Sequence, residues 1–267
     1  MVKRTTTLIA LGLMTLALGA VGCNCGGGEE AEEGAEAPVS EAFEDLDTQL
    51  DLLELVHLAD VYHHGLYVDF GTPAQAKYSV GDWRTAGWGA RSSEGDATFT
   101  HVGTRSRFYF PIDQAGDHTL RLRLRAHGTE RMTPYLNGEA ISSLTVRLNE
   151  FGDYDITLPG AKLVVGENNL QFVFGGSTQV GGAEGSAAID SARIIHGTFP
   201  AGEFDPPAFD SLVAAVSLDG TERQAVVARR PMNLRYHVQV PENGKLGFGV
   251  GFDGQGEAAV KVYVTGD

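Results

Sequence analysis

Residues 118–126 read HTLRLRLRA. Leu120, Leu122 and Leu124 fall on one side of an extended chain and Arg121, Arg123 and Arg125 on the other, because successive side chains of a strand point to opposite faces. The run is therefore a half-buried strand, apolar toward a core and lined with guanidinium groups toward water. The same period of two recurs at Phe108, Phe110 and Ile112, at Leu144, Val146 and Leu148, and at Leu170, Phe172 and Phe174. Turn residues separate these runs, Asn137-Gly138 being the best hairpin signal. Short alternating strands with no helical pattern between them predict an all-β, jelly-roll-like β-sandwich over residues 62–199.

Upstream, residues 42–60 read as one amphipathic helix. Ser40 suits the N-cap, Glu41 and Glu44 suit the positive end of the dipole, and Phe43, Leu46, Leu50 and Leu53 recur at helical spacing. Downstream, the prolines and glycines of residues 200–210 mark a linker. Strands resume over 211–267, at Leu234, Tyr236, Val238 and Val240, at Leu246, Phe248, Val250 and Phe252 alternating with glycine, and at Val260, Val262 and Val264. Asn243-Gly244 and Asp253-Gly254 mark turns between them. Such a sheet would leave one apolar face uncovered, so this second β domain is expected to be incomplete and the reading frame to continue.

The N-terminus gives an address. Lys3 and Arg4 precede an apolar run from Leu8 to Leu18, and Gly19, Ala20 and Gly22 lead into Cys23, the layout of a secretory signal over residues 1–22. Cys23 and Cys25 are the only cysteines. Two thiols are too few for a metal site, and a bridge between them would be strained. The stretch Ala20-Val21-Gly22-Cys23 resembles the lipobox of bacterial lipoproteins, which implies lipid attachment at Cys23. An ordinary cleaved signal with a free cysteine pair is the rival reading. Residues 23–41 are acidic, rich in glycine and poor in large apolar side chains, so they are expected to form a disordered tether. Removing residues 1–22 takes away Lys3 and Arg4 and no carboxylate, moving the formal charge from −15 to −17. That balance excludes nucleic acid as a partner and leaves membrane attachment to the lipid. The expected location is the cell envelope, on the periplasmic face or the cell surface.

Catalytic motifs are missing: no nucleophile elbow, zinc-protease helix, phosphate-binding loop or dinucleotide fingerprint occurs. His57, Asp60, His63, His64 and Asp69 cluster in sequence, but adjacent histidines on a strand face opposite ways, so no metal site and no cofactor are expected. The glycine-rich stretch around Trp83 and Trp88, with Arg84, Arg91 and Asp96, offers aromatic faces and planar charged groups of the kind that bind sugars. Against it stands the reading in which both tryptophans plug the end of the sandwich. The guanidinium face of residues 121–125 could hold a sulfated or carboxylated glycan, although pairing with carboxylates on neighbouring strands is favoured.

The segments ELVHLADVYHHGLYVDFGTPAQAKYSVGDWRTAGWG, GDATFTHVGTRSRFYFPI, LRLRLRAHGTERMTPYLNG, VVGENNLQFVFGGS, SAAIDSARIIHG and KLGFGVGF together resemble the non-catalytic N-terminal region of lipoprotein sulfatases from myxobacteria and related Gram-negative bacteria. The resemblance implies a β-sandwich leader in front of an alkaline-phosphatase-like hydrolase domain that uses a formylglycine and a divalent metal. No Cys-x-Pro-x-Arg or Ser-x-Pro-x-Arg occurs in this chain, so no nucleophile carries over. The sequence thus predicts a lipid-anchored accessory module, non-catalytic by itself, whose partner is a polysaccharide or sulfated glycan. Two alternatives are a structural envelope lipoprotein contacting a protein, and a sulfuric ester hydrolase whose catalytic domain lies outside this chain.

Overall fold

A computed structural model describes residues 6–11, 50–79, 87–180, 182–201, 208–218, 220–228, 231–241, 244–251 and 259–266. In chain order the strands are β1 (Thr6–Leu11), β2 (Asp60–Tyr62), β3 (Leu66–Asp69), β4 (Trp88–Glu94), β5 (Ala97–Val102), β6 (Arg105–Ile112), β7 (His118–Ala126), β8 (Arg131–Leu136), β9 (Glu139–Ala140) and β10 (Leu144–Thr145). They continue with β11 (Gly152–Leu158), β12 (Gly166–Phe174), β13 (Thr178–Val180), β14 (Ala183–Gly185), β15 (Ala187–His196), β16 (Val213–Leu218), β17 (Thr221–Val226), β18 (Asn233–Val238) and β19 (Val262–Gly266). One short helix, α1 (Gln75–Ser79), follows β3.

The chain is an all-β sandwich. Its larger sheet runs β11-β7-β15-β3-β2-β18-β1-β19, with β5 also on β15 and β4 on β5. The smaller sheet runs β10-β8-β12-β6, with β9 on β8. Leu120, Leu122 and Leu124 are fully buried between the sheets, facing Phe108, Phe110, Leu170 and Phe172 of the smaller one. Each buried leucine contributes about 1.5–3 kcal/mol over an exposed one, so β7 alone fixes which face of the large sheet is inside. Asn137 and Gly138 both adopt positive φ (50° and 90°), the two-residue hairpin turn that joins β8 to β9.

Elsewhere the pattern departs from expectation. Val146 is buried, but Leu148 is exposed and β10 stops at Thr145, because the chain bends to bond Ala126 and Glu130 rather than continuing a ladder. The helix expected over 42–60 lies partly outside the described residues. Its described portion forms turns and one 3-10 turn, Val56–Leu58, before entering β2. Val56 and Ala59 still bury their side chains, against Leu212, Met232, Leu234 and Tyr236.

That second apolar cluster joins the C-terminal strands to the residues that precede the sandwich. β18 pairs with β2, Leu234 opposite Val61, and so extends the large sheet. Arg235 fastens the junction with two hydrogen bonds to Asp113, both 2.7 Å, and a third to the Tyr62 hydroxyl at 3.2 Å. Residues 244–251, expected to form a strand, carry none; Leu246, Phe248 and Val250 lie exposed.

Candidate functional site

The outer face of the large sheet collects what the leucine-arginine alternation sends outward. Across the β7–β11 register Arg121 stands opposite Asp155 and Arg123 opposite Asp153. Arg121 donates two hydrogen bonds to Asp155, at 2.7 and 2.8 Å. Arg123 lies between Asp190, at 3.3 Å, and Asp153, at 3.6 Å. Arg125 pairs with Glu94 at 2.8 Å. The favoured sequence reading, carboxylates on neighbouring strands, is the arrangement found.

Aromatic rings occupy the other side of these guanidinium groups. Arg121 lies over Phe199 at 4.2 Å, and Arg125 over Phe151 at 4.6 Å and Phe99 at 5.0 Å. On β15, Arg193 lies over Tyr67 of β3 at 5.5 Å. A planar cation held between a ring and a carboxylate has little rotamer freedom left to lose on binding. Beside Arg125 the His101 and His127 rings sit 5.5 Å apart. Burial first, and the charge of Arg125 as well, hold both below the ordinary histidine value, so both are neutral at pH 7.

At one end this face opens into a cleft of about 160 Å³, lined by Tyr67, Asp69, Asp96, Thr98, Asp190 and Asp210 among others. A β-bulge builds it. The register of β15 on β7 shifts between Ile189 and Ser191, which leaves Asp190 as the extra residue where β5 gives way to β3 along the other edge of β15. Its carbonyl accepts the Phe70 amide at 2.7 Å, and its carboxylate faces Arg123. Gly71, at φ +85°, lets the end of β3 press on β5: a Cβ there would stand 2.3 Å from the Phe99 nitrogen.

Asp69 is the deepest carboxylate of the cleft. It accepts the Phe209 amide at 2.9 Å and the Thr98 hydroxyl at 3.1 Å. Burial, helped by the charges of Asp190 and Asp210, outweighs those bonds and pushes its pKa up to about 6. Burial likewise raises Asp190. With Asp69 near 6, the cleft carries acceptor oxygens at neutral pH and gains a carboxyl donor only as the solution turns mildly acidic.

The residues singled out from sequence separate. Trp88 is packed against the core, its ring stacked on Phe70 at 5.1 Å and its Nε1 donating to the Arg107 carbonyl at 2.8 Å. Arg91 is exposed on β4, and Asp96 lies in the turn beyond the far end of that strand and lines the cleft. A seven-residue strand is about 20 Å long, so Trp88 and Asp96 do not share a site. Trp83, Arg84 and Cys23 lie outside the described residues. His57 bonds the Glu54 carbonyl, His63 is buried, and His64 occupies a left-handed turn at φ 55°. Among the described residues no group of three His, Cys, Asp or Glu is placed to hold a metal ion. Sequence reasoning missed Asp190, Arg193 and the rings beneath the arginines, since only the pairing of β15 with β3, β5 and β7 brings them together.

No protein-family model matches the chain, and no curated protein matches it. Among solved structures, it is similar to a family 35 carbohydrate-binding module from an environmental isolate, at 19% identity and TM-score 0.30, over 43% of this chain and 94% of the module. A family 35 carbohydrate-binding module from Clostridium thermocellum gives 16% identity and TM-score 0.30 over 39% and 85%. The C-terminal CBM6 of a marine laminarinase from Zobellia galactanivorans gives 12% identity and TM-score 0.32 over 48% and 97%.

Proposed function

We propose that this chain is an exported β-sandwich accessory module, anchored through a lipid on Cys23, that binds a glycan on the outer face of its large sheet and does no chemistry by itself. The observation that carries the reading is the array of Arg121, Arg123 and Arg125, each laid over an aromatic ring and backed by the cleft at Asp69 and Asp190. The arginines supply fixed, forked donors at every second residue, about 7 Å apart along β7. Carboxylates beside them accept hydrogen bonds from hydroxyl groups. Because Asp153, Asp155, Asp190 and Glu94 balance those cations, the face suits hydroxyl-rich sugars without demanding a dense anion.

The resemblance to the leader region of lipoprotein sulfatases supports placing the module in front of such a hydrolase, where it would capture polymer and leave cleavage of the ester to another domain. Glycan arrays carrying neutral, uronate-bearing and sulfated polymers test the reading, with the wild type beside Arg123→Ala and Arg121→Ala. Binding that both variants lose and Arg91→Ala keeps is the expected result. Uniform silence at high protein concentration, or binding indifferent to the arginines, overturns it.

A further inference from the structure

β18 and β19 run in the same direction with a single strand between them, β1, which is antiparallel to both. The backbone of Leu8 aligns with Tyr236 on one side and Val264 on the other, and that of Ala10 with Leu234 and Val262. Chain order offers another occupant. The stretch 244–251 lies between β18 and β19 in sequence, reads GKLGFGVG and carries no strand. Leu246, Phe248 and Val250 are 46%, 50% and 53% exposed. Two successive hairpins through this stretch would set it antiparallel to both neighbours, which is the direction β1 now has.

The register agrees as well. The Gly244 amide already bonds the Pro241 carbonyl at 3.0 Å, turning the chain there. Pairing across the turn at Gly244 would set Val240 opposite Leu246, Val238 opposite Phe248 and Tyr236 opposite Val250. Tyr236 and Val238 belong to the second apolar cluster, so the three exposed side chains would join its face. Because Tyr236 and Val264 share a row across β1, the same placement sets Val250 beside Val264, itself 59% exposed. A slip of one residue would bring the glycines to the core instead.

We propose that Thr6–Leu11 holds a place belonging to Leu246–Gly251: when residues 1–22 are removed on export, that segment enters between β18 and β19 and closes the second cluster. The inference rests on reading residues 1–22 as a cleaved signal. It makes the precursor and the exported chain differ in one strand, so the C-terminal part completes its sheet only after export.

Hydrogen–deuterium exchange on the full chain and on a chain beginning at Cys23 tests it. The amides of Gly247–Gly251 are expected to exchange at least about 100-fold more slowly in the shorter chain. Equal, fast exchange in both overturns the proposal. Phe248→Asp gives an independent readout, since it should lower the Tm of the shorter chain and leave that of the full chain unchanged. An unchanged Tm in both also overturns it. The mass of the chain recovered from bacterial membranes tests the signal separately: a full-length mass refutes cleavage while the exchange result on the engineered chain still decides who fits the slot.

Discussion

Asp60 and Asp69 bracket one hairpin, β2–β3, and both are buried, yet their surroundings are opposite. Asp60 is surrounded by donors: the Tyr78 hydroxyl at 2.8 Å, the His237 ring at 2.9 Å and the Lys77 ammonium. Burial alone would raise its pKa, but the bond from His237 and the charge of Lys77, with Tyr78, outweigh burial and hold it below the ordinary value. Asp69 has two donors and is faced by Asp190 and Asp210. One carboxylate fastens elements together, with α1, β2 and β18 meeting on it. The other is left underpaired beside an open cleft, which is where strain is worth keeping if a ligand is to relieve it.

The largest test of that contrast is Asp60→Ala. It leaves a buried ammonium and two ring or hydroxyl donors without their acceptor, so unfolding should become easier by about 3–5 kcal/mol, read from urea denaturation. A loss below about 1 kcal/mol would mean that the three partners find water and that Asp60 is not the fastening point.

Acid titration sharpens the contrast because the two groups have opposite signs. With its pKa raised to about 6, Asp69 binds its proton more tightly folded than unfolded. Its contribution is therefore fully present below pH 4 and lost as pH rises through 6. A shift of that size corresponds to roughly 2–3 kcal/mol. Asp60, with its pKa lowered, contributes above pH 4 and loses its contribution as pH falls. His101 and His127, held low, act the other way in this window, so the contribution of Asp69 is read as the difference between wild type and Asp69→Asn, which should favour the wild type at pH 4 and fade by pH 7. A difference that does not change with pH would move the titration to another group.

The difference between these two sites also marks how far sequence reasoning reaches. Period two along β7 is dictated by strand geometry within nine residues, so the buried leucines and outward arginines were legible, as was the turn at Asn137-Gly138. Asp60 meets His237 across 177 positions, and Asp69 takes the Phe209 amide across 140; no local pattern encodes either pairing. Trp88 is open to two readings in the sequence, a sugar site and a plug for the end of the sandwich. A tryptophan in a glycine-rich stretch suits a sugar site, but its ring is spent on Phe70 and its indole N–H on Arg107. Leu246, Phe248 and Val250 alternate as a strand should, and the slot they match is filled by Thr6–Leu11.

A third prediction carries the contrast to the outer face, where fold and binding should come apart. Arg121→Ala removes an exposed ion pair with Asp155, and such pairs contribute about 0–1 kcal/mol. Tm should hardly move while retention on the cognate glycan falls at least tenfold, measured by affinity electrophoresis. Equal losses in both would make the arginine ladder a structural device like the Asp60 cluster.

The smallest expected effect separates the cleft from its rim. Asp96 is exposed in the β4–β5 turn and only borders the cleft, whereas Asp190 is placed by the bulge and bonded to Arg123. Asp96→Ala should change stability by no more than about 0.5 kcal/mol, the usual range for a surface position free of special backbone geometry, and should weaken glycan retention less than Arg123→Ala does. If Asp96→Ala abolishes retention while Arg123→Ala spares it, the ligand is held by the turn and the cleft mouth rather than by the guanidinium ladder. The binding surface would then move toward the β4–β5 turn, and the alternation of β7 would explain the fold alone.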